Sequence, residues 1–356
     1  MVLEEQTELW YLKKLPKQKK NKSHINRMSI LVLVGLVIAG LGLVNILVGL
    51  KAPLLGNYVL EVPKGASITS VFEGLSESGL TETKVEVIRI YSALTRNRGP
   101  IKAGRYQLTE GMDILGVLSL LREGRVLQYQ ATFPEGWTFE QWRQNLATLP
   151  HLEKKTSWMD RHELSKAIGI EGDPEGWLFP DTYYYSATTS DLDLLKTAFA
   201  EMQSILANEW KDRYPNDLVG SPYDALILAS LVEKETGYAP DRDKISSVFL
   251  NRLRAKMRLE SDPTVIYGLG KTFDGNLTRK DLKTDHSHNT YTRFGLPPTP
   301  IASPGLDSIN AALGAKQYPY YYFVAKGDGR SHFSVDYEEH RRAVRRYQLA
   351  GRKKAK

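Results

Sequence analysis

The apolar segment from Met28 to Leu50 restricts the architecture of this chain more than any other feature. Only Ser29 and Asn45 interrupt it with polar side chains. As a helix it would be about 34 Å long, enough to cross the hydrocarbon core of a bilayer. It is longer than the apolar core of a signal peptide, and no Ala-x-Ala cleavage pattern follows at Lys51. We therefore expect an uncleaved membrane anchor; a buried helix of a soluble protein is the alternative.

Basic residues stand before this segment and again near the C-terminus. The sequence has 356 residues and a formal net charge of +7, which would suit a nucleic-acid-binding protein. Much of the excess lies in the two clusters, however, so we expect no nucleic-acid partner. The first cluster predicts a cytoplasmic N-terminus, with the chain after the anchor across the membrane; the second is read as a solvated tail. The clusters are Lys13, Lys14, Lys17, Lys19, Lys20, Lys22 and Arg27, and Arg341, Arg342, Arg345, Arg346, Arg352, Lys353, Lys354 and Lys356.

A buried helix is predicted in the middle of the chain. Ser221 suits the N-cap and Pro222 the first helical position. Residues 225–232 are almost wholly apolar, and a helix that is apolar on every side is usually buried. Gly237 predicts its end, in a left-handed cap.

Two glutamates lie in the last turn of this helix. At about 100° per residue, Glu235 extends the stripe formed by Leu228, Leu231 and Val232, whereas Glu233 falls on the other side. Burial and the negative end of the helix dipole both raise the pKa of Glu235. A carboxyl group that stays protonated near neutral pH suits a general acid. The alternative is a helix whose charged end simply reaches water.

Further motifs occur in a fixed order along the chain. They lie at residues 175–183, 243–253, 257–268, 289–291, 295–301 and 303–305. With the run at residues 231–237, they resemble the endolytic murein transglycosylases, a family of membrane-anchored enzymes that cut bacterial peptidoglycan. The resemblance extends from about Phe133 to Asp336. In that family the glutamate directly before threonine in a Glu-Lys-Glu-Thr run is catalytic, which implies Glu235 here.

The resemblance implies an α+β fold. This would comprise an N-terminal transmembrane helix, a small LysM-like α/β module that binds glycan, and a larger catalytic domain with a lysozyme-like active-site helix. A spacer with a small core suits the sequence of the module equally well. The predicted divisions are residues 1–27 (cytoplasmic tail), 28–50 (transmembrane helix), 51–127 (LysM-like domain), 128–349 (catalytic domain) and 350–356 (basic tail). Strands are predicted at residues 58–63, 103–108, 126–133, 320–325 and 331–335, and helices at 68–78, 85–94, 112–122, 191–210, 243–253 and 338–349.

The resemblance also implies the reaction. The enzyme would cut glycan strands internally between N-acetylmuramic acid and N-acetylglucosamine and leave a 1,6-anhydromuramic end. Glu235 would act first as acid and then as base, while Asn289, Tyr291 and Tyr267 would hold the sugar or bond to Glu235. A single pass through the cell inner membrane, a periplasmic catalytic domain and association with cell-wall synthases such as penicillin-binding proteins are implied as well.

Two other functions stay open. A hydrolase would use Glu235 as acid and Asp262 or Glu233 as the second carboxylate. Asp262 also suits a structural role, because the Ser-Asp-Pro run at residues 261–263 resembles a helix start. A non-catalytic peptidoglycan-binding anchor of a cell-wall synthesis complex would not need Glu235 at all.

No cofactor or metal is expected. The absence of cysteine excludes disulfides, thiol nucleophiles and cysteine-ligated metal. The run at residues 285–288 holds two histidines without an evident third ligand, and Val265 stands where a phosphate loop would need its first glycine. One position departs from the family pattern: His288 replaces a residue that is often aromatic, which puts the preference among glycans in doubt.

Overall fold

The structure is a computed structural model that describes residues 27–95, 99–314 and 316–349. The described residues pack as two compact units, one within Met1–Lys102 and Gln107–Gly124 and the other within Ala103–Tyr106 and Arg125–Lys356. The basic segment predicted before residue 27 and the tail predicted at residues 350–356 lie outside the described residues. Helices and strands both occur, as the predicted mixed fold requires.

The first unit begins with the apolar helix α1 (Arg27–Leu50). Its residues 28–50 are long and apolar enough to cross a membrane, and the span is not buried inside the protein. Strand β1 (Tyr58–Val62) belongs to this unit, whereas β2 (Gly104–Leu108) has residues in both units. Helices α2 (Ile68–Glu77), α3 (Val85–Leu94) and α4 (Ile114–Glu123) complete this part of the chain. A capping box at Ser67 begins α2, and Asp113 caps α4 by accepting from the Gly116 amide.

The N-terminal part of the second unit has an aromatic core. Strand β3 (Tyr129–Thr132) pairs antiparallel with β4 (Thr182–Tyr185). Around this strand pair lie α5 (Phe139–Thr148), α6 (Arg161–Ile168) and α7 (Asp191–Lys211). Phe133 stacks on Trp142 with ring centroids 3.8 Å apart, so the strand is fixed directly against α5.

The C-terminal part of the second unit surrounds helix α8 (Pro222–Glu235), whose residues 225–232 are all buried. Helices α9 (Ala239–Arg254), α10 (Asp262–Leu269), α11 (Arg279–Lys283) and α12 (Leu306–Leu313) follow. Strands β5 (Tyr322–Ala325) and β6 (Ser331–Ser334) form an antiparallel pair. Helix α13 (Tyr337–Val344) then continues into a π-helical turn, Arg345–Leu349.

Burial of α8 is possible because its one polar interior residue is satisfied. Ser230 Oγ donates to the Ile227 carbonyl at 2.7 Å and accepts from the Ile301 amide at 3.1 Å. A buried hydroxyl without partners would destabilise the helix core. The helix can therefore stay buried along residues 225–232, and Glu235 is its last residue.

The predicted start of this helix is confirmed, since Ser221 Oγ accepts from the Asp224 amide and Pro222 is the first helical residue. The predicted end is wrong. The helix stops at Glu235 because Thr236 is extended, with φ −153° and ψ 135°, and Gly237 is not left-handed. Arg341, Arg342, Arg345 and Arg346 of the second basic cluster are exposed to solvent, and they lie in α13 and the π-helical turn, where a helix is predicted at residues 338–349.

Candidate active site

Glu235 is the last residue of α8, and its carboxylate meets the segment that begins α10. Ser261 Oγ donates a hydrogen bond of 2.5 Å to Glu235 Oε1. Ser261 is only 2% exposed, and Glu235 as a whole residue is half-buried. The carboxyl group is thus held by a buried donor.

The surroundings of Glu235 raise its pKa to about 7. Desolvation by the enclosing protein is the largest cause, and the negative charge of Asp262 raises the pKa further. The Ser261 hydrogen bond and the positive charge of Arg252 act in the opposite direction. Both the protonated and the ionised form of Glu235 are therefore populated at neutral pH, so the group can donate a proton and accept one.

Ser261 is fixed by the motif at residues 289–291. Its backbone amide donates to Thr290 Oγ1 at 3.0 Å, and the Thr264 and Thr290 hydroxyls lie 2.9 Å apart. Glu260, directly before it, has a left-handed φ of 51°, which is uncommon for a residue other than glycine. Ser261 is the N-cap of α10, yet its side chain caps no amide. Its hydroxyl bonds Glu235 instead.

Asn289 is fully buried and holds its own loop together. Its side-chain nitrogen donates to the carbonyls of Thr284 at 2.7 Å and Leu282 at 3.2 Å. Its side-chain oxygen accepts from the Tyr291 amide at 2.8 Å. Both ends of the side-chain amide are occupied by backbone, so its contribution in this structure is to shape the loop that carries Thr290 and Tyr291.

Tyr291 and Asp262 lie next to the Glu235 carboxylate. The Tyr291 hydroxyl donates to Asp262 Oδ1 at 2.5 Å, and burial raises the pKa of Tyr291, so its phenol stays a donor. Asp262 is the first residue of α10 rather than its cap, and its side chain is exposed. The structure thus brings together Glu235, Asp262 and Tyr291.

Glu233 points to a different part of the protein. Its carboxylate lies 3.5 Å from Arg242 Nη2 and accepts from the Gly305 amide at 3.1 Å and from Ser308 Oγ at 2.7 Å. The Glu233 side chain is only 7% exposed. These bonds link α8 to the start of α12, and each of the two carboxylate oxygens has a partner.

Tyr267 belongs to a second polar network, on the adjoining face of α10. Its hydroxyl donates to Glu175 Oε2 at 3.0 Å, and Arg161 lies 3.2 Å from the same oxygen. Glu175 is buried, and burial raises its pKa. The Tyr267 ring lies 4.9 Å from His288, and burial lowers the pKa of His288 to about 4, so this imidazole is neutral near pH 7.

This network opens into a cleft of about 640 Å³. Lys234, Pro263 and Ile266 also line it, and the first two are sequence neighbours of Glu235 and Asp262. The other lining residues are Thr138, Glu140, Gln141, Arg161, Glu175, Tyr267, Gly270, Lys271 and Ile301. Its walls combine apolar side chains with hydroxyl, amide and charged groups, a combination suited to a sugar chain. Among the described residues, no cluster of three or more histidine, aspartate or glutamate side chains could hold a metal ion.

Sequence reasoning missed Ser261, Thr290 and the Arg161–Glu175 pair as parts of the site. The sequence predicts Ser261 only as part of a helix start, because a hydroxyl directly before a helix normally caps it. Thr290 lies inside the Asn-Thr-Tyr motif at residues 289–291, so the sequence marks its position but does not predict its hydrogen bond with the Ser261 amide. Glu175 lies in the motif at residues 175–183, but no local pattern pairs it with Arg161.

Comparison with known proteins gives consistent matches. A family model described as the YceG-like family matches residues 60–346. The chain is 31% identical over 306 residues to a Bacillus subtilis (strain 168) protein named endolytic murein transglycosylase, covering 81% of this chain and 84% of that protein. A Streptococcus pneumoniae serotype 2 protein of the same name is 28% identical over 317 residues; the match covers 80% of this chain but only 57% of that longer protein. A crystal structure of a yceG-like protein from Listeria monocytogenes matches with a TM-score of 0.52 and 29% identity, over 81% of this chain and 99% of that one.

Proposed function

Because this chain belongs to the YceG-like family, we propose that it is an endolytic murein transglycosylase, a lyase that cuts peptidoglycan glycan strands. Two similar proteins carry that name. The observation that supports the proposal most strongly is the carboxyl group of Glu235 at the end of α8, where desolvation raises its pKa to about 7; Lys234, the residue before it, lines the cleft. An acid with this pKa is half protonated near neutral pH, as proton transfer to a leaving group requires.

In the proposed reaction, protonated Glu235 donates its proton to the glycosidic oxygen as the bond to C1 of the muramic residue breaks. The Glu235 carboxylate then takes the proton from the C6 hydroxyl of the same residue. That oxygen attacks C1 and closes the 1,6-anhydro ring. The proton count balances and no water is consumed, so one carboxyl group can serve both steps.

The neighbouring residues support these steps by their contacts. Ser261 donates to Glu235 Oε1 and so stabilises the carboxylate that forms when the proton leaves. Tyr291 holds Asp262 in place. Tyr267 and Arg161 line the cleft, where we propose that the glycan binds; Asn289 would act through the loop it stabilises.

A hydrolase is the second candidate, and Asp262 favours it. This exposed carboxylate lies close enough to raise the pKa of Glu235 by its charge. A second carboxylate near the acid is what hydrolysis of a glycosidic bond normally uses. Glu233 is less suited to that task, because Arg242, Gly305 and Ser308 occupy it.

Membrane attachment is part of the proposal. The apolar helix α1 would anchor the chain in the bacterial inner membrane, with the units after it in the periplasm. The first unit, with its small mixture of helices and strands, would be the LysM-like glycan-binding module at residues 51–127, and residues 128–349 the catalytic domain, whose α8 would correspond to a lysozyme-like active-site helix. Association with cell-wall synthases is proposed from the family resemblance alone, and cross-linking in intact cells would test it.

The experiment that tests the function is digestion of purified peptidoglycan sacculi by the full-length protein in detergent, beside its Glu235→Gln variant. Mass spectrometry identifies the new ends. Anhydromuramic ends that disappear in the variant are the expected result. Reducing ends would support the hydrolase, and binding of sacculi without cleavage by either protein would support a non-catalytic anchor.

A further inference from the structure

A basic cleft of about 470 Å³ borders the candidate active site. Arg258, from the segment between α9 and α10, faces it together with Arg279 and Lys283 of α11. Leu282, Tyr291 and Thr292 complete the lining. The Tyr291 hydroxyl bonds Asp262 at 2.5 Å, and the charge of Asp262 acts on Glu235. The basic cleft is therefore connected to Glu235 through Tyr291 and Asp262.

Among the described residues, none of the three cations of the basic cleft forms an ion pair, and the acidic residues two positions away from them in the sequence make bonds to other groups. Glu260 pairs with Arg252 at 3.1 Å, Asp281 accepts from the Thr278 amide at 2.8 Å, and Asp285 pairs with Arg293 at 2.9 Å. Like charges gathered on one cleft repel one another, so an anionic ligand would relieve this repulsion.

Arg258 is also held in position for binding. Its guanidinium lies over the ring of Phe294, 4.9 Å from the centroid, although that ring is itself largely exposed. A stacked guanidinium keeps its planar set of donors free for a carboxylate. Glu260, two residues later, has a left-handed backbone, which turns the chain between Arg258 and Ser261. One short segment thus presents a cation to the basic cleft and a hydroxyl to Glu235.

We propose that the basic cleft binds the carboxylates of the peptide stem carried by the muramic residue that is cut. This inference rests on the proposed function. Murein differs from a plain glycan by stems attached to muramic acid, and these stems carry free carboxylates. A muramic residue placed at Glu235 would have its stem within reach of the adjoining cleft. Arginine forks bind carboxylates in a two-point geometry, so the basic cleft would select strands that still carry stems.

The test compares two substrates and three proteins, all full length in detergent. The substrates are uncross-linked glycan strands with free stem carboxylates and the same strands with those carboxylates amidated. The proteins are the unaltered chain, a triple variant with Arg258→Ala, Arg279→Ala and Lys283→Ala, and a matched control, Lys280→Ala. Lys280 is an exposed cation on the same helix α11 that does not line the basic cleft. Thermal unfolding checks that all three proteins are equally folded.

A single exposed ion pair contributes little to binding free energy, but the three cations of the basic cleft together should change kcat/KM about tenfold. We expect the triple variant to cut the carboxylate substrate about tenfold more slowly, and amidation to slow the unaltered chain to a similar extent while hardly affecting the variant. The Lys280→Ala control should have the same kcat/KM on each substrate as the unaltered chain. Added salt should reduce the preference of the unaltered chain for the substrate with free carboxylates. Equal losses on both substrates, or no loss at all, would overturn the inference. If the unaltered chain cuts neither substrate, the proposed function itself fails.

Discussion

Replacing Ser261 with alanine should shift the pH dependence of catalysis upward. The hydroxyl donates to Glu235 Oε1 at 2.5 Å and lowers the pKa of that group. A hydrogen bond to a charged group contributes about 1.5–3 kcal/mol, and a tenfold change in proton affinity corresponds to about 1.4 kcal/mol. A general acid must be protonated at the start of the reaction, so kcat/KM falls as the pH rises through its pKa. We expect that midpoint near pH 7 in the unaltered chain and about one to two pH units higher in Ser261→Ala.

The assay is kcat/KM for soluble glycan strands between pH 5 and 9. Ser261→Thr keeps a hydroxyl at the same position and should retain the original midpoint. The alanine variant should also be slower at its acidic plateau, because the carboxylate formed on proton donation loses a donor. An unchanged or lowered midpoint in Ser261→Ala would refute the assignment of this hydrogen bond to the ionised form of Glu235.

Three further predictions concern stability, each measured by urea denaturation. The pKa of Glu235 is raised from its ordinary value of 4.5 to about 7, so the stability that its protonated form contributes is fully present below pH 4.5 and is lost as the pH rises through about 7. Between pH 5 and pH 9 the free energy of unfolding of Glu235→Gln should therefore gain up to about 3 kcal/mol relative to the unaltered chain. A difference that stays constant with pH would contradict the assignment of Glu235 as a buried acid. Arg242→Met should lower the free energy of unfolding by about 3 kcal/mol, because it leaves the buried Glu233 carboxylate unpaired, and the double variant that also carries Glu233→Gln should recover part of the loss. Asn289→Ala should cost about 2–3 kcal/mol by leaving buried carbonyls without a donor, and a loss below about half a kcal/mol would show that the loop does not depend on it.

The sequence was informative where structure follows from local pattern. Helical periodicity separated Glu235 from Glu233, and the structure gives the two carboxylates different partners, Ser261 and Arg242. The cap at Ser221 was readable because its partner, Asp224, lies three residues away. Such short-range contacts depend on residue types and spacing alone.

Contacts between residues far apart in the sequence cannot be predicted from such local patterns. Thr290 fixes Ser261 from 29 residues along the chain, and Tyr267 reaches Glu175 across 92 residues. A serine before a helix suits a cap and a carboxylate donor equally well, and only the packing of α10 beside α8 decides between them. The same holds for the end of α8, where an extended Thr236 replaces the expected glycine cap.

In the proposed reaction Glu235 serves as both acid and base, and no water enters the product. The most direct test of this reaction is cleavage of glycan strands in water labelled with heavy oxygen, followed by immediate reduction and mass spectrometry of the new ends. The account predicts anhydromuramic ends without the label, formed by the unaltered chain and absent with Glu235→Gln. Label at C1 of a reducing end would contradict it, because a water molecule would then have attacked in place of the C6 hydroxyl.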